Sequence, residues 1–219
     1  GPPAIPYVRN MYDFAEVRPR MAAIFAGARL GDLMVAPQLE ELATTGPLGI
    51  RPQAIALLGK LGEDPKINLF LRDLLNDQYL DVRIAAYEAL DKRRDPWVEH
   101  RTVGDKFIVD SVPSVEPMIY VTMQKTPKIV MFGSSLDVRR PVFASAWEGR
   151  LMLSNEQPAG NIRVYYRDLR TNQGITGENP PPLVDLVEYL AHKTTPEEPA
   201  PGLDLTYSEV VGALSQIVK

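Results

Sequence analysis

Few side chains in this 219-residue chain have the types and spacing that chemistry requires. Gly133-Ser134-Ser135 comes nearest to a nucleophile or a phosphate-binding loop. A P-loop needs a lysine that reaches the β- and γ-phosphates, and a nucleophile elbow needs a glycine on each side of its serine. Neither pattern is met, and a β-turn is the reading that remains. Asn172-Gln173-Gly174 with Gly177 is turn chemistry as well, with no dinucleotide fingerprint beside it. Histidine occurs twice. His100 follows Trp97 and Glu99, and would act as a general base only with a nucleophile within hydrogen-bond reach. Packing at a junction is the simpler role. His192 falls in the last turn of a helix, where it meets the negative end of the dipole. The paired carboxylates Glu40-Glu41 and Glu197-Glu198 could serve as acid and base only if the fold converged them. Neighbours on a helix point about 100° apart, so Glu40 and Glu41 read as a solvated face. No Asp-x-Asp-x-Asp-Gly calcium loop occurs. No catalytic, cofactor-binding or metal residue follows from these patterns, and the expectation is a protein that is not an enzyme and holds no cofactor.

Lys92-Arg93-Arg94 closes a helix, where cations oppose the negative dipole end. The same three residues form the candidate interaction patch. Arg139-Arg140, Arg163, Arg167 and Arg170 could extend a basic surface. A net charge of −4 and a pI near 5.3 give no surplus for neutralising phosphates. The expected partner is therefore a protein of unknown identity; neither nucleic acid nor a small molecule is expected. The absence of cysteine rules out disulfides, thiolate zinc sites and cysteine nucleophiles, and assigns no compartment. No apolar run approaches the ~20 residues of a membrane-spanning helix. The chain opens on Gly1-Pro2-Pro3 without methionine, which reads as a trimmed start within a longer protein. A periplasmic or envelope location is favoured over a cytoplasmic one.

What must position such residues is a repeat. Apolar residues make up 45% of the chain and charged residues 24%, the balance of a folded domain. Arg20, Ala23, Ile24, Leu30 and Gly31 recur as Arg51, Ala54, Ile55, Leu61 and Gly62, at a spacing of 31. A third copy, Arg83, Ala86 and Leu90, follows Arg51, Ala54 and Leu58 by 32 residues, and Leu39 and Leu42 match Leu71 and Leu74 at the same shift. Each unit reads as two helices, the second carrying alanines that let neighbours approach and leucines that fill the layers. Arg20, Arg51 and Arg83 are expected to tie turns together.

The segment Leu71-Arg72-Asp73-Leu74-Leu75-Asn76-Asp77 followed by Val82-Arg83 resembles a HEAT repeat of the bacterial type, over about residues 7–97. In that family an aspartate in the inter-helix turn and a Val-Arg at the start of the second helix form a ladder between units. The resemblance places Asp77 and Arg83 in those roles. Thr45 stands where the middle aspartate would fall, which breaks the ladder there.

Beyond Trp97 come six short runs rich in β-branched and aromatic residues, within 106–110, 118–123, 128–132, 141–147, 150–154 and 161–166. Glu148-Gly149 predicts a hairpin between the fourth and fifth. Their spacing argues for an antiparallel sandwich or small barrel. Two helices close the chain, Pro182–Ala191 and Tyr207–Val218, the second started by a Thr206/Glu209 capping box with a Leu205/Val210 staple. A stiff acidic linker over 194–202 separates them and leaves the last helix free to dock elsewhere. The expected fold is α+β: an α-solenoid of about three helix pairs over 1–100, then a β-rich domain with two C-terminal helices over 101–219. Terminal repeats need a cap, and the β-rich domain is expected to supply it.

Three functions suit this organisation. One is a scaffold or adaptor module, the C-terminal part of a larger protein. The second is structural: Arg139-Arg140-Pro141-Val142-Phe143, Leu151-Met152-Leu153 and Tyr207-Ser208-Glu209 are similar to C-terminal regions of bacterial flagellar P-ring-like proteins, which implies a cell-envelope or basal-body assembly. The third is enzymatic, because HEAT-like repeats also occur in bilin lyases, where they cradle a chromophore.

Overall fold

The computed structural model describes residues 4–133, 136–169 and 171–217. Ser134, Ser135 and Arg170 lie outside these residues, as do Gly1, Pro2, Pro3 and Val218. The protein is α+β, and it separates into two compact units. One comprises Gly1–Glu99 with Val112–Val115, the other His100–Ser111 with Glu116–Lys219. No helix among the described residues is long and apolar enough to cross a membrane.

The helical unit holds α1 (Ile5–Arg9), α2 (Val17–Arg29), α3 (Ala36–Thr44), α4 (Arg51–Leu58), α5 (Pro65–Asp73) and α6 (Leu80–Lys92). One 3-10 turn leads into α3 and another follows α5. Pro37, Pro52 and Pro65 each occupy the first turn of a helix, where the missing N–H leaves no bond unmade. Consecutive helices pack as α1 on α2, α3 on α4 and α5 on α6, while α4 also packs on both α2 and α6. The shared alanines and leucines lie inside: Ala23, Ile24, Leu39, Ala54, Ile55, Leu58, Leu71, Ala86 and Leu90 are all buried. Gly59 shows how close the second helices come. A Cβ there would sit 2.8 Å from the Cβ of Ala89, so only glycine fits without a shift of backbone.

The segment Val112–Val115 belongs to this unit through polar contacts. Ser114 Oγ donates to the Leu75 carbonyl at 3.1 Å, and the Val115 N–H donates to Asn76 Oδ1 at 2.7 Å.

Among the described residues the β-rich part of the chain contains eight strands where six were expected. They are β1 (Glu99–Val103), β2 (Phe107–Val112), β3 (Met118–Thr122), β4 (Lys128–Phe132), β5 (Val142–Ala146), β6 (Leu151–Asn155), β7 (Ile162–Arg167) and β8 (Gly174–Asn179). The two additional strands are β1, whose Glu-His-Arg-Thr-Val has no apolar alternation, and the glycine-containing β8. Two separate four-stranded sheets form, ordered β1-β2-β4-β3 and β5-β6-β7-β8. Four edges therefore remain, and no closed barrel exists among the described residues. The second sheet is an antiparallel meander, its first hairpin turning through Trp147, Glu148 and Gly149, all at positive φ.

Both sheets share one apolar core with α7 (Leu183–Ala191) and α8 (Tyr207–Ile217). The acidic linker does not act as a spacer. Leu203 N–H donates to the Tyr189 carbonyl and Leu205 N–H to that of Leu190, so the chain doubles back along α7. Lys106 fixes this return, its ammonium donating to the Ala191 and Leu205 carbonyls and to Asp204 at 2.6, 3.0 and 2.7 Å. The capping box forms as read: the Thr206 N–H donates to Glu209 Oε2 at 2.9 Å, and Leu205 and Val210 are buried beside it.

Candidate functional site: a basic groove at the helix corners

The loops that follow α2, α4 and α6 share a design built on aspartate. Asp32, Asp64 and Asp95 each accept a hydrogen bond from the backbone N–H two residues on, at Met34, Lys66 and Trp97. At Asp32 and Asp64 the carboxylate satisfies an orphan donor of the helical turn that follows, and at Asp95 it closes the turn ahead of the first strand. Two of the three are also gripped by an arginine. Arg9 donates to Asp32 through Nε and Nη2 at 2.8 and 2.7 Å, and Arg72 donates to Asp95 through the same two nitrogens at 3.0 Å each. Both pairs span 23 residues.

The electrostatics follow from that geometry. Bonds from the Arg9 guanidinium, helped by the Tyr12 hydroxyl, overcome desolvation and hold the Asp32 carboxyl down at about 2. Burial and the Asp32 carboxylate push the Tyr12 hydroxyl up to about 12. Burial alone would raise Asp95; Arg72, the Trp97 N–H and Asn68 together carry it below the ordinary carboxylate range. The middle corner differs. Glu40 stands near Asp64, and burial followed by that like charge raises its carboxyl, with Lys66 opposing.

The third corner opens into a groove of about 750 Å³, lined by the turn from Gly59 to Pro65, by Asn68, Leu69 and Arg72 of α5, and by 92–96. The candidate patch lines this groove, and its three cations do different work. Arg93 is spent on structure: it donates to the carbonyls of Leu58, Leu61, Gly62 and Asp64 and to Asn68 Oδ1, tying the end of α4 to the start of α5. Burial depresses the pKa of that guanidinium. Lys92 and Arg94 are exposed, as is Lys60 across the groove. Leu69 is 58% exposed on its wall.

Arg94 is also held in an unusual backbone state. Its φ is 54°, in the left-handed region that favours glycine. Arg94 N–H donates to the Asp91 carbonyl and Asp95 N–H to that of Leu90, the double bond that ends a helix in a Schellman motif. After α2 the same pattern is made by Gly31, at φ 79°, with Asp32 N–H on the Gly27 carbonyl. Gly31 and Arg94 each immediately precede the corner aspartate.

The remaining predicted residues lie apart from the groove. Arg51 Nε donates to the Gly46 carbonyl at 2.8 Å, and its guanidinium lies 5.2 Å from the centroid of the Tyr79 ring. Arg83 is buried, donating to the Leu75 carbonyl and to Ser114 Oγ, while Asp77 accepts from the Tyr79 N–H. Arg20 lines a separate cleft with Gln38 and Glu41. His100 Nδ1 lies 2.6 Å from Asp110 Oδ1, and the other oxygen of that buried carboxylate takes Lys128 Nζ at 2.9 Å. His192 Nε2 lies 3.3 Å from the Glu198 carbonyl. Arg163 and Arg167 project from β7, with Arg167 held on Asn172 Oδ1. The corner aspartates and their arginines were missed in the sequence. The signal available was the recurrence of Arg9 and Asp32 as Arg72 and Asp95, a shift of 63 that equals 31 plus 32.

A scan against protein-family models finds none that matches the chain, and a search of curated proteins finds no relative.

Proposed function

We propose that this protein is a non-enzymatic interaction module, and that its helical unit is a short α-solenoid of three HEAT-like pairs whose third corner binds an acidic segment of a protein partner. The solenoid reading is supported by the contacts of α4 with both α2 and α6, and by the aspartate corner that recurs after each second helix. The binding reading rests on Arg94. A long cation is kept at φ 54° where the first pair uses glycine. A non-glycine residue held there costs of order 1 kcal/mol, and such costs persist where they serve a function. Exposed Leu69 beside Lys92 and Arg94 adds an apolar contact to the cations, so the fitting ligand is an acidic peptide with an aliphatic side chain.

The test is affinity capture with the full chain, comparing wild type with a Lys92→Glu/Arg94→Glu variant that leaves Arg93 in place. The reading expects partners to be lost from the variant, to be released by salt, and to be acidic. Equal capture by both proteins, with matching thermal melts, would refute it.

A further inference from the structure

The three arginines that recur near the start of the second helices do different work. Arg51 donates from Nε to the Gly46 carbonyl and Arg83 from Nε to the Leu75 carbonyl, so each ties its helix to the turn before it. The guanidinium of Arg20, the first copy, makes no hydrogen bond or ion pair among the described residues. It is half-buried, and it lines a cleft of about 330 Å³ where α2 faces α3. The second layer shows why this space is open. There the Tyr79 ring covers Arg51, its centroid 5.2 Å from the guanidinium. One repeat earlier, at the shift of 32 that relates Leu39 to Leu71, stands Pro47, which lines the cleft. A smaller ring sits where Tyr79 fills the layer, and room remains.

Two further groups in this cleft lack partners. Gln38 Oε1 is shut off from water and accepts no hydrogen bond, a cost that persists until a donor arrives. Glu41 lies three residues further along α3, hence on the same face, and its carboxylate makes no ion pair among the described residues. The cleft therefore offers donors from Arg20 and acceptors from Gln38 and Glu41, between apolar walls of Val17, Met21 and Leu42. We infer that it binds a free α-amino acid with an aliphatic side chain. The carboxylate of that ligand sits on the Arg20 guanidinium, its ammonium on Gln38 Oε1 and the Glu41 carboxylate, and its side chain against Met21 and Leu42. A free amino acid carries both charges on one carbon. A peptide N-terminus would leave Arg20 unmet, and a C-terminus would leave Gln38 and Glu41 unmet. The volume suits so small a ligand, being at the lower end of the range for small-molecule sites. The cleft shares no residue with the groove lined by Arg94.

The experiment is calorimetric titration of the full chain with L-leucine, beside L-leucinamide, which lacks the carboxylate, and N-acetyl-L-leucine, which lacks the ammonium. Leucine is expected to bind saturably, with each analogue weaker by about tenfold or more. Arg20→Gln and Glu41→Gln are each expected to weaken leucine by a similar factor without lowering the thermal melt. The comparison of analogues uses wild type alone and does not depend on how the variants fold. Absence of leucine binding overturns the inference. So does leucine binding that survives both substitutions, or an analogue that binds as tightly as leucine, which would make a peptide end the occupant.

Discussion

Arg72 holds the buried carboxylate of Asp95 with two parallel hydrogen bonds, across 23 residues of chain. The guanidinium also lies 4.8 Å from the centroid of the Trp97 ring, so one side chain joins α5 to the turn that ends α6. Side-chain exposure is 19% for Arg72 and nil for Asp95, against 48% and 1% for Arg9 and Asp32. The same device is thus built twice, once shielded and once half in water.

That difference sets the cost of breaking each corner. Asp95→Ala leaves a shielded arginine without its carboxylate, and about 3 kcal/mol of stability is expected to be lost. Asp32→Ala frees an arginine that water can reach, at about 1–2 kcal/mol. Urea unfolding of the two variants measures both, and Asp95→Ala is expected to be the less stable.

Acid should act through the same carboxylates. Asp32 is depressed in the folded protein, so the unfolded chain binds its proton more readily. The stability it contributes is complete above the unfolded carboxylate range near pH 4 and is lost as pH falls through about 2. Asp95 shifts in the same direction. A urea midpoint followed from pH 5 to pH 2 should fall for wild type, and fall less steeply for Asp32→Asn.

Glu40 predicts the opposite sign. Its carboxyl is raised by burial and by Asp64, so the fold favours its protonated form and is penalised once it ionises. Glu40→Gln should raise stability at neutral pH by less than about 1 kcal/mol. It should lose that advantage in acid, where wild-type Glu40 is neutral too. A lower midpoint at pH 7 would show that Glu40 does not oppose Asp64.

The closeness of α4 to α6 can be tested at Gly59. Adding one methyl there puts a Cβ 2.8 Å from that of Ala89. Gly59→Ala is expected to destabilise by about 1–3 kcal/mol, although alanine is the better helix former. A neutral or stabilising result would show that the helices part at little cost.

The apolar half of the helical repeat was readable, because buried alanines and leucines must recur wherever helices meet at the same depth. The polar half was not. A shift of 31 sets Asp32 beside Glu63, yet the residue that caps the next helix is Asp64, since the turns differ in length by one. Arg9 lies ahead of the aligned block, and a pair closed across 23 residues leaves no local pattern. Asp77 and Arg83 hold turns together through backbone groups, Tyr79 N–H for one and the Leu75 carbonyl for the other. In the β unit, β4 was evident from its buried Ile129-Val130-Met131-Phe132. β1 escaped because its residues are exposed up to Val103 and its place in the sheet is set by backbone bonding to β2. The interaction patch was visible only as charge. That Arg93 serves the fold while Lys92 and Arg94 face solvent depends on carbonyls brought from 31 to 35 residues away.

Arg94→Gly reads the central claim with two signals from one protein. Glycine removes the left-handed strain, so urea unfolding is expected to show unchanged stability or a gain of about 1 kcal/mol. Affinity for a labelled glutamate-rich peptide bearing one leucine should fall about tenfold in the same sample. Loss of stability together with undiminished peptide binding would contradict the account, because Arg94 would then be held for the fold and not for a partner.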